Sequence, residues 1–471
     1  MANLNSLTIA QAKEKLKKKE ISSTELTKAC LDRIKKLQEK LNVFVTITEK
    51  EALDRARKAD EELKNGSDLP LLGIPIAVKD NFCTMGVRTT ASSKVLDDFI
   101  PPYESTVTQK LKNAGMVMLG KTNMDAWAHG SSTETSDYGP TLNPWNTKHL
   151  PGGSSGGSAA ATAADMSIGS IGSETAGSIR QPASWCGVIG LKPTYGRVSR
   201  YGVVAMGSSL DSPGPITKSV EDAALILEII AGHDPMDATT SSLPVPKYTT
   251  SIGKSDKKLR IGISKNYLEG VDNKVIKVFE DTKKLFEKLG HTFVELELFN
   301  PKYAIDVYTI LQRSEVSSNL ARYDGIRYGN DRSFFGEEAK RRIMLGTFTL
   351  SSGYYDAYYK KAQKVRTIII KDFDEAFKKV DFILAPTGPT PALVLGASEG
   401  QSMFGELADV LVEPSSIAGL TGINLPAGFS NDGLPIGMQL IGPQFSEPGI
   451  ISIGYEFEKE TEFLRERKPN L

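Results

Sequence analysis

The sequence predicts an α/β fold, with a central mixed sheet covered by helices on both faces. Three observations carry that expectation. Short apolar runs suited to buried strands alternate with helical stretches through the first half of the chain. Helix-start signals recur early, in Thr8-x-x-Gln11, Ser22-x-x-Glu25 and Thr48-x-x-Glu51, each resembling a capping box. Strand-like runs return near the C-terminal end, after a long helical stretch, as if to rejoin the same sheet.

The elements follow in order. Residues 1–65 read as helices, interrupted by LNVFVTI, a short strand. GIPIAV (73–78) reads as a buried strand ending at Lys79, because it is apolar without alternation. Glu104 to Asn113 is helical and MVMLG (116–120) a strand; Ala159 to Asp165 is a helix, Ser167 to Ile171 a strand and Ser219 to Ala231 a helix. Residues 66–235 thus form the expected core. Met236 to Lys258, rich in Thr, Ser, Pro and Lys, reads as a surface connection. From 259 to 471 the chain predicts strand LRIGISK, a helix near 273–289, strand TFVELEL and a helical insertion over 301–380. The strands FILAP, GINLPAGF and PIGMQLIG then close a single domain spanning 1–471.

Composition excludes several functions. Lys+Arg and Asp+Glu are both 57, which gives no electrostatic case for autonomous nucleic-acid binding. Three scattered cysteines, Cys30, Cys83 and Cys186, make neither a disulfide framework nor a zinc site. The first residues lack a signal peptide's apolar core, and no run approaches the roughly 18 apolar residues of a membrane helix. A cytoplasmic protein is expected.

Chemistry concentrates between Pro151 and Pro193. This stretch is dense in Gly, Ser and Ala, yet its apolar runs and Trp185 mark it as packed rather than as a linker. Buried Gly and Ser suggest a reaction site made of backbone amides and hydroxyls. Ser178 is the best-placed nucleophile: it follows SIGSIG and a turn and precedes a helix start, where successive N–H groups bind an anion. A helix N-cap is the competing role for Ser178. Ser154, in GGSSGG, competes with Ser155 and Ser158. GGSSGG lacks the G-K-[ST] of a phosphate loop. Histidine is the usual base for a serine nucleophile, but the four here, His129, His149, His233 and His291, show no triad pattern. Lys79 is the alternative base. Burial would have to pull its pKa down by roughly 3 units, and a strand-end lysine that snorkels to solvent is the competing reading.

GIPIAVKDNF, PGGSSGGSAA and GSETAGSIRQPASWCGVIGLKPTYGRVSRYGV, in that order, resemble the amidase signature family. The resemblance implies an α/β/α sandwich and a Ser–cis-Ser–Lys triad, matched by Ser178, Ser154 and Lys79. It further implies an oxyanion hole of backbone N–H groups from Thr175, Ala176, Gly177 and Ser178. NLARYDGIRYG and KRRIMLGTFTLSSGYYDAYYKKAQKVR narrow the likeness to the branch that serves tRNA-dependent amidotransferases as glutaminase. That branch implies ammonia release from glutamine and two partner subunits. One of these uses ATP and Mg²⁺ to amidate Glu-tRNA(Gln) or Asp-tRNA(Asn), holds most of the tRNA, and leaves this chain without a cofactor. By the same likeness, Arg342 reads the glutamine carboxylate and Asp409 its amino group, with Tyr308 in the same pocket. A stand-alone amidase acting on another small amide and a catalytically weak assembly scaffold are the other readings. Two positions depart from the family pattern: Glu174 replaces an Asp, and Ala176 a Gly.

Overall fold

The computed structural model describes residues 4–253, 258–461 and 467–471. Eleven strands occur among them: β1 (Phe44–Ile47), β2 (Pro75–Lys79), β3 (Val117–Thr122), β4 (Gly169–Glu174), β5 (Ile189–Lys192), β6 (Ser212–Thr217), β7 (Arg260–Ile263), β8 (Thr292–Glu295), β9 (Phe382–Pro386), β10 (Thr421–Phe429) and β11 (Pro435–Gly442). They form one sheet in the order β1-β3-β2-β4-β6-β5-β10-β11-β9-β7-β8. β2 runs parallel to β3 and β4, and β7 parallel to β8 and β9. The other pairs are antiparallel, so the sheet is mixed, as the sequence predicts.

Parallel neighbours need crossovers. The helices Thr106–Asn113 and Gly156–Ala163 supply them between β2 and β3 and between β3 and β4. Helices cover the sheet, and every residue of β2 is buried. One apolar cluster gathers Ile76, Val78 and Ile171 with Leu227, Ile450 and Phe457 from the helices. A second joins Ile383 and Ile441 to Leu311, Leu411 and Ile417. The insertion between β8 and β9 consists mainly of the helices Lys302–Asn319, Glu337–Leu350 and Lys361–Phe377.

Several local expectations need correction. Thr8 and Ser22 form full capping boxes, but Thr48 makes no cap bond and instead donates its hydroxyl to Met118 O at 3.0 Å. The helix expected from Ala159 starts at Gly156, since GGS is its first turn rather than a loop. A Cβ on Gly157 would lie 2.3 Å from Asn123 O, so the glycine permits a close backbone approach. β6 is absent from the sequence reading: its Pro213 and Pro215 argue against a strand, yet β4 and β5 pair with it from both sides. The strand expected over TFVELEL stops at Glu295. The connection over 236–258 has no strand or α-helix among its described residues, and Tyr248 pins it to the core; residues 254–257 lie outside the described residues. No helix among the described residues is long and apolar enough to cross a membrane.

Candidate active site

Lys79 ends β2, an interior strand between β3 and β4, fully buried. It does not snorkel. Its Nζ donates to Ser154 Oγ at 2.7 Å, and to the Ser173 carbonyl and hydroxyl at 3.1 Å each. Asn81 Nδ2 donates to the same Ser173 hydroxyl at 2.8 Å. Burial pulls the Lys79 pKa down to about 7, against the opposing pull of Asp125, Asp211 and Glu174. Lys192 is equally buried and also falls to about 7. It donates only to the Leu420 and Pro193 carbonyls. Lys121, the third fully buried lysine, meets Asp80, the Phe82 carbonyl and the Thr89 hydroxyl. Geometry therefore separates Lys79 from the other two: it alone of the three reaches a serine hydroxyl.

The serines of GGSSGG also separate. Ser155 Oγ donates to Ser173 O, and Ser158 Oγ to Ile171 O, so both tie their helix to β4. Ser154 follows a cis peptide bond after Gly153 and receives Lys79. Gly153 is close-packed: a Cβ there would lie 2.0 Å from Asp125 Oδ2 and 2.6 Å from Ser132 N.

Ser178 lies in the turn between β4 and the helix Arg180–Cys186. It is not the helix cap. The Glu174 carboxylate takes that place, accepting from Ile179 N and Arg180 N at 3.0 Å each. Ser178 joins the others through its carbonyl, which accepts from Ser155 N at 3.2 Å, and no hydrogen bond links its Oγ to Ser154 among the described residues. Catalytic contacts often close only when substrate binds. The backbone N–H groups of Thr175 through Ser178 donate to no described residue, which leaves them for an anion.

The two departures take clear structural roles. Glu174 also holds the Arg180 guanidinium at 2.6 Å, and both side chains are fully buried. Arg180 reaches on to Gln439 Oε1 at 2.6 Å and Ser416 Oγ at 2.9 Å. Ala176 is not among the residues with positive φ, so its methyl group carries no left-handed strain there. The glycine that matters is Gly177, where a Cβ would lie 2.5 Å from both Asp409 Oδ1 and Val412 Cγ2.

That contact brings Asp409 to the loop. Its Oδ2 accepts from Ser131 Oγ at 2.8 Å while Oδ1 is buried without a partner. Burial holds its carboxyl well above the usual range. Arg342, with Arg341 beside it, could have sat on a solvated helix face. It is instead buried, donating to Glu338 at 2.6 Å and facing Glu406 at 3.5 Å. Arg313 donates to the same Glu406 oxygen at 3.1 Å. Tyr308 is buried in the field of Arg342, Glu413, Glu406 and Asp409. Arg313, Glu406, Glu413, Ser131 and Asp125 were not singled out in the sequence. Their one signal is a charged or polar residue within an otherwise core-facing stretch, as Arg313 is in ILQRSEV.

No histidine bonds to a serine among the described residues. His233 meets Thr240; His291 meets Leu259 N and Glu456; both ring nitrogens of His129 are buried without a partner. No group of three or more His, Cys, Asp or Glu among the described residues is placed to hold a metal. A cavity of about 880 Å³ opens nearby, lined by Cys83, Tyr103, Val204, Asp211 and Tyr323 among others, but none of the three triad candidates lines it. It reaches the loop only through Asp211, which accepts from Thr175 Oγ1 at 2.7 Å. A lysine with a lowered pKa, the serine it bonds, a second serine at a strand-to-helix turn and four free amides together can support acyl transfer without histidine.

The chain belongs to the amidase family, whose model matches residues 25–451. It is 49% identical over 484 residues to the A subunit of the glutamyl-tRNA(Gln) amidotransferase of Desulfatibacillum aliphaticivorans, covering 99% of this chain and 100% of that one. The protein of the same name from Thermotoga maritima has a solved structure with a TM-score of 0.82 at 40% identity, covering 98% of this chain and 96% of that one. A 6-aminohexanoate cyclic dimer hydrolase superposes with a TM-score of 0.89 at 25% identity, over 99% of both chains.

Proposed function

We propose that this chain is the glutaminase subunit of a tRNA-dependent amidotransferase. The Lys79–Ser154 hydrogen bond at 2.7 Å is the observation that carries the chemistry. Full-length likeness to the glutamyl-tRNA(Gln) amidotransferase proteins supports the assignment. Ser178 Oγ attacks the side-chain amide carbon of glutamine. Its proton passes to Ser154, whose own proton passes to neutral Lys79. The amides of Thr175 to Ser178 hold the oxyanion. Collapse expels ammonia, which takes a proton back along the relay, and water then releases glutamate from Ser178. One partner subunit receives the ammonia, uses ATP and Mg²⁺ to amidate Glu-tRNA(Gln) or Asp-tRNA(Asn), and holds most of the tRNA; a second clamps it to this chain. The setting is cytoplasmic, where charged tRNA is used.

Arg342 and Asp409 read the two ends of the amino acid. An ammonium beside the Asp409 Oδ1 that lacks a partner would restore its charged form. In the assembled complex, Arg342→Ala should raise the KM for glutamine roughly 10- to 100-fold, the worth of a charge-assisted bond, with a smaller change in kcat. An unchanged KM overturns the assignment of Arg342. The base is tested by pH. Neutral Lys79 is the active form, so activity falls as it gains a proton: kcat/KM for glutamine should drop about tenfold per unit on the acid side of a midpoint at about 7. A flat profile between pH 5 and 8 removes Lys79 from that role.

A further inference from the structure

His129 is buried near the site, only 1% exposed, and neither ring nitrogen has a partner among the described residues, nor do the side-chain polar atoms of Gln312 and Glu413. The loop that carries it is tied at both ends. Asp125 accepts from Ser132 N at 3.2 Å and Thr135 Oγ1 at 3.0 Å, and Ser131 bonds Asp409 at 2.8 Å. Just before the histidine, Trp127 (φ 59°) and Ala128 (φ 62°) take left-handed conformations, unfavourable for residues with side chains. Trp127 is locked there by Tyr323 and Phe335, with ring centroids 4.7 and 5.3 Å away. A strained, braced loop thus holds a polar ring where the fold itself gives it nothing to bond.

Burial keeps the imidazole neutral, and the charges of Arg342 and Arg313 add to that effect. A neutral ring carries one N–H donor, and a donor in the field of two guanidinium groups complements an anion. Asp409, which the proposed function assigns to the ammonium, bonds Ser131 two residues along the same loop and so places that loop at the pocket. We propose that His129 is a specificity-determining residue that donates an N–H to the α-carboxylate of glutamine, alongside Arg342. The inference rests on the glutaminase reading above and adds a contact which that reading does not supply.

The test compares glutamine with 4-aminobutanamide, which keeps the amide and the amine but lacks the carboxylate. In the complex with its partner subunits, His129→Leu should lower kcat/KM for glutamine about tenfold, chiefly through KM. It should leave kcat/KM for 4-aminobutanamide within about twofold. His129→Gln, which keeps a donor, should recover part of the loss. Equal losses on both substrates, or no loss on either, overturn the contact. A wild-type complex that releases no ammonia from glutamine overturns the glutaminase reading, and this inference with it.

Discussion

Ser178→Ala and Lys79→Ala are each expected to lower ammonia release from glutamine by on the order of 10⁴-fold or more, as loss of a nucleophile or its base does in other hydrolases. The pair acts as one unit, so the double variant should be little worse than either single one. Binding of glutamine should survive in Ser178→Ala, because Arg342 and Asp409 lie on other elements. Ammonia assays on the assembled complex decide the matter, and near-normal turnover by either variant removes that residue from the mechanism. Lys79→Ala also relieves a buried amine, so a loss of activity there without a loss of melting temperature separates chemistry from folding.

The second large effect falls on stability. Arg180→Met should destabilise the protein by about 3–5 kcal/mol, since it leaves Glu174 buried without its cation. Glutaminase activity should fall with it, because Arg180 bonds Glu174 before the reactive turn and Ser416 and Gln439 behind it. Replacing both partners, Glu174→Leu with Arg180→Met, should recover much of the stability and little of the activity, for apolar residues can fill a buried pair's volume but cannot cap Ile179 and Arg180. Thermal melts of the wild type and the two variants measure this. A melting temperature for Arg180→Met equal to that of wild type would show that the pair does not hold the turn.

What the sequence discloses follows the range of the interactions involved. GIPIAV is legible as a buried strand because continuous apolar character is local. The partner of Lys79 is not, because Ser154 arrives through crossovers between parallel strands. The residues alone are equally compatible with a snorkelling Lys79 and a helix-capping Ser178; the three motifs in order favour the triad. Whether the methyl group of Ala176 strains the backbone depends on its φ, which the sequence does not disclose. With Arg341 adjoining it, nothing local discloses that Arg342 is buried, since its partner Glu406 comes from a distant short helix. β6 was hidden by prolines that its two neighbours tolerate. In each case the missing information lay in a long-range pairing.

Lys79, Ser154 and Ser178 all precede Arg180, whereas Tyr308, Arg342 and Asp409 all follow β8. On the proposed function, the triad and the trio Tyr308, Arg342 and Asp409 are therefore separate lengths of chain meeting at one loop, where Gly177 packs on Asp409, with His129 the earlier length's own part in recognition. Such a division makes the molecule evolvable by parts. Changes in the later segments and at His129 can redirect the enzyme toward other amides while the triad stays intact, provided that whatever packs on Gly177 leaves its amide free.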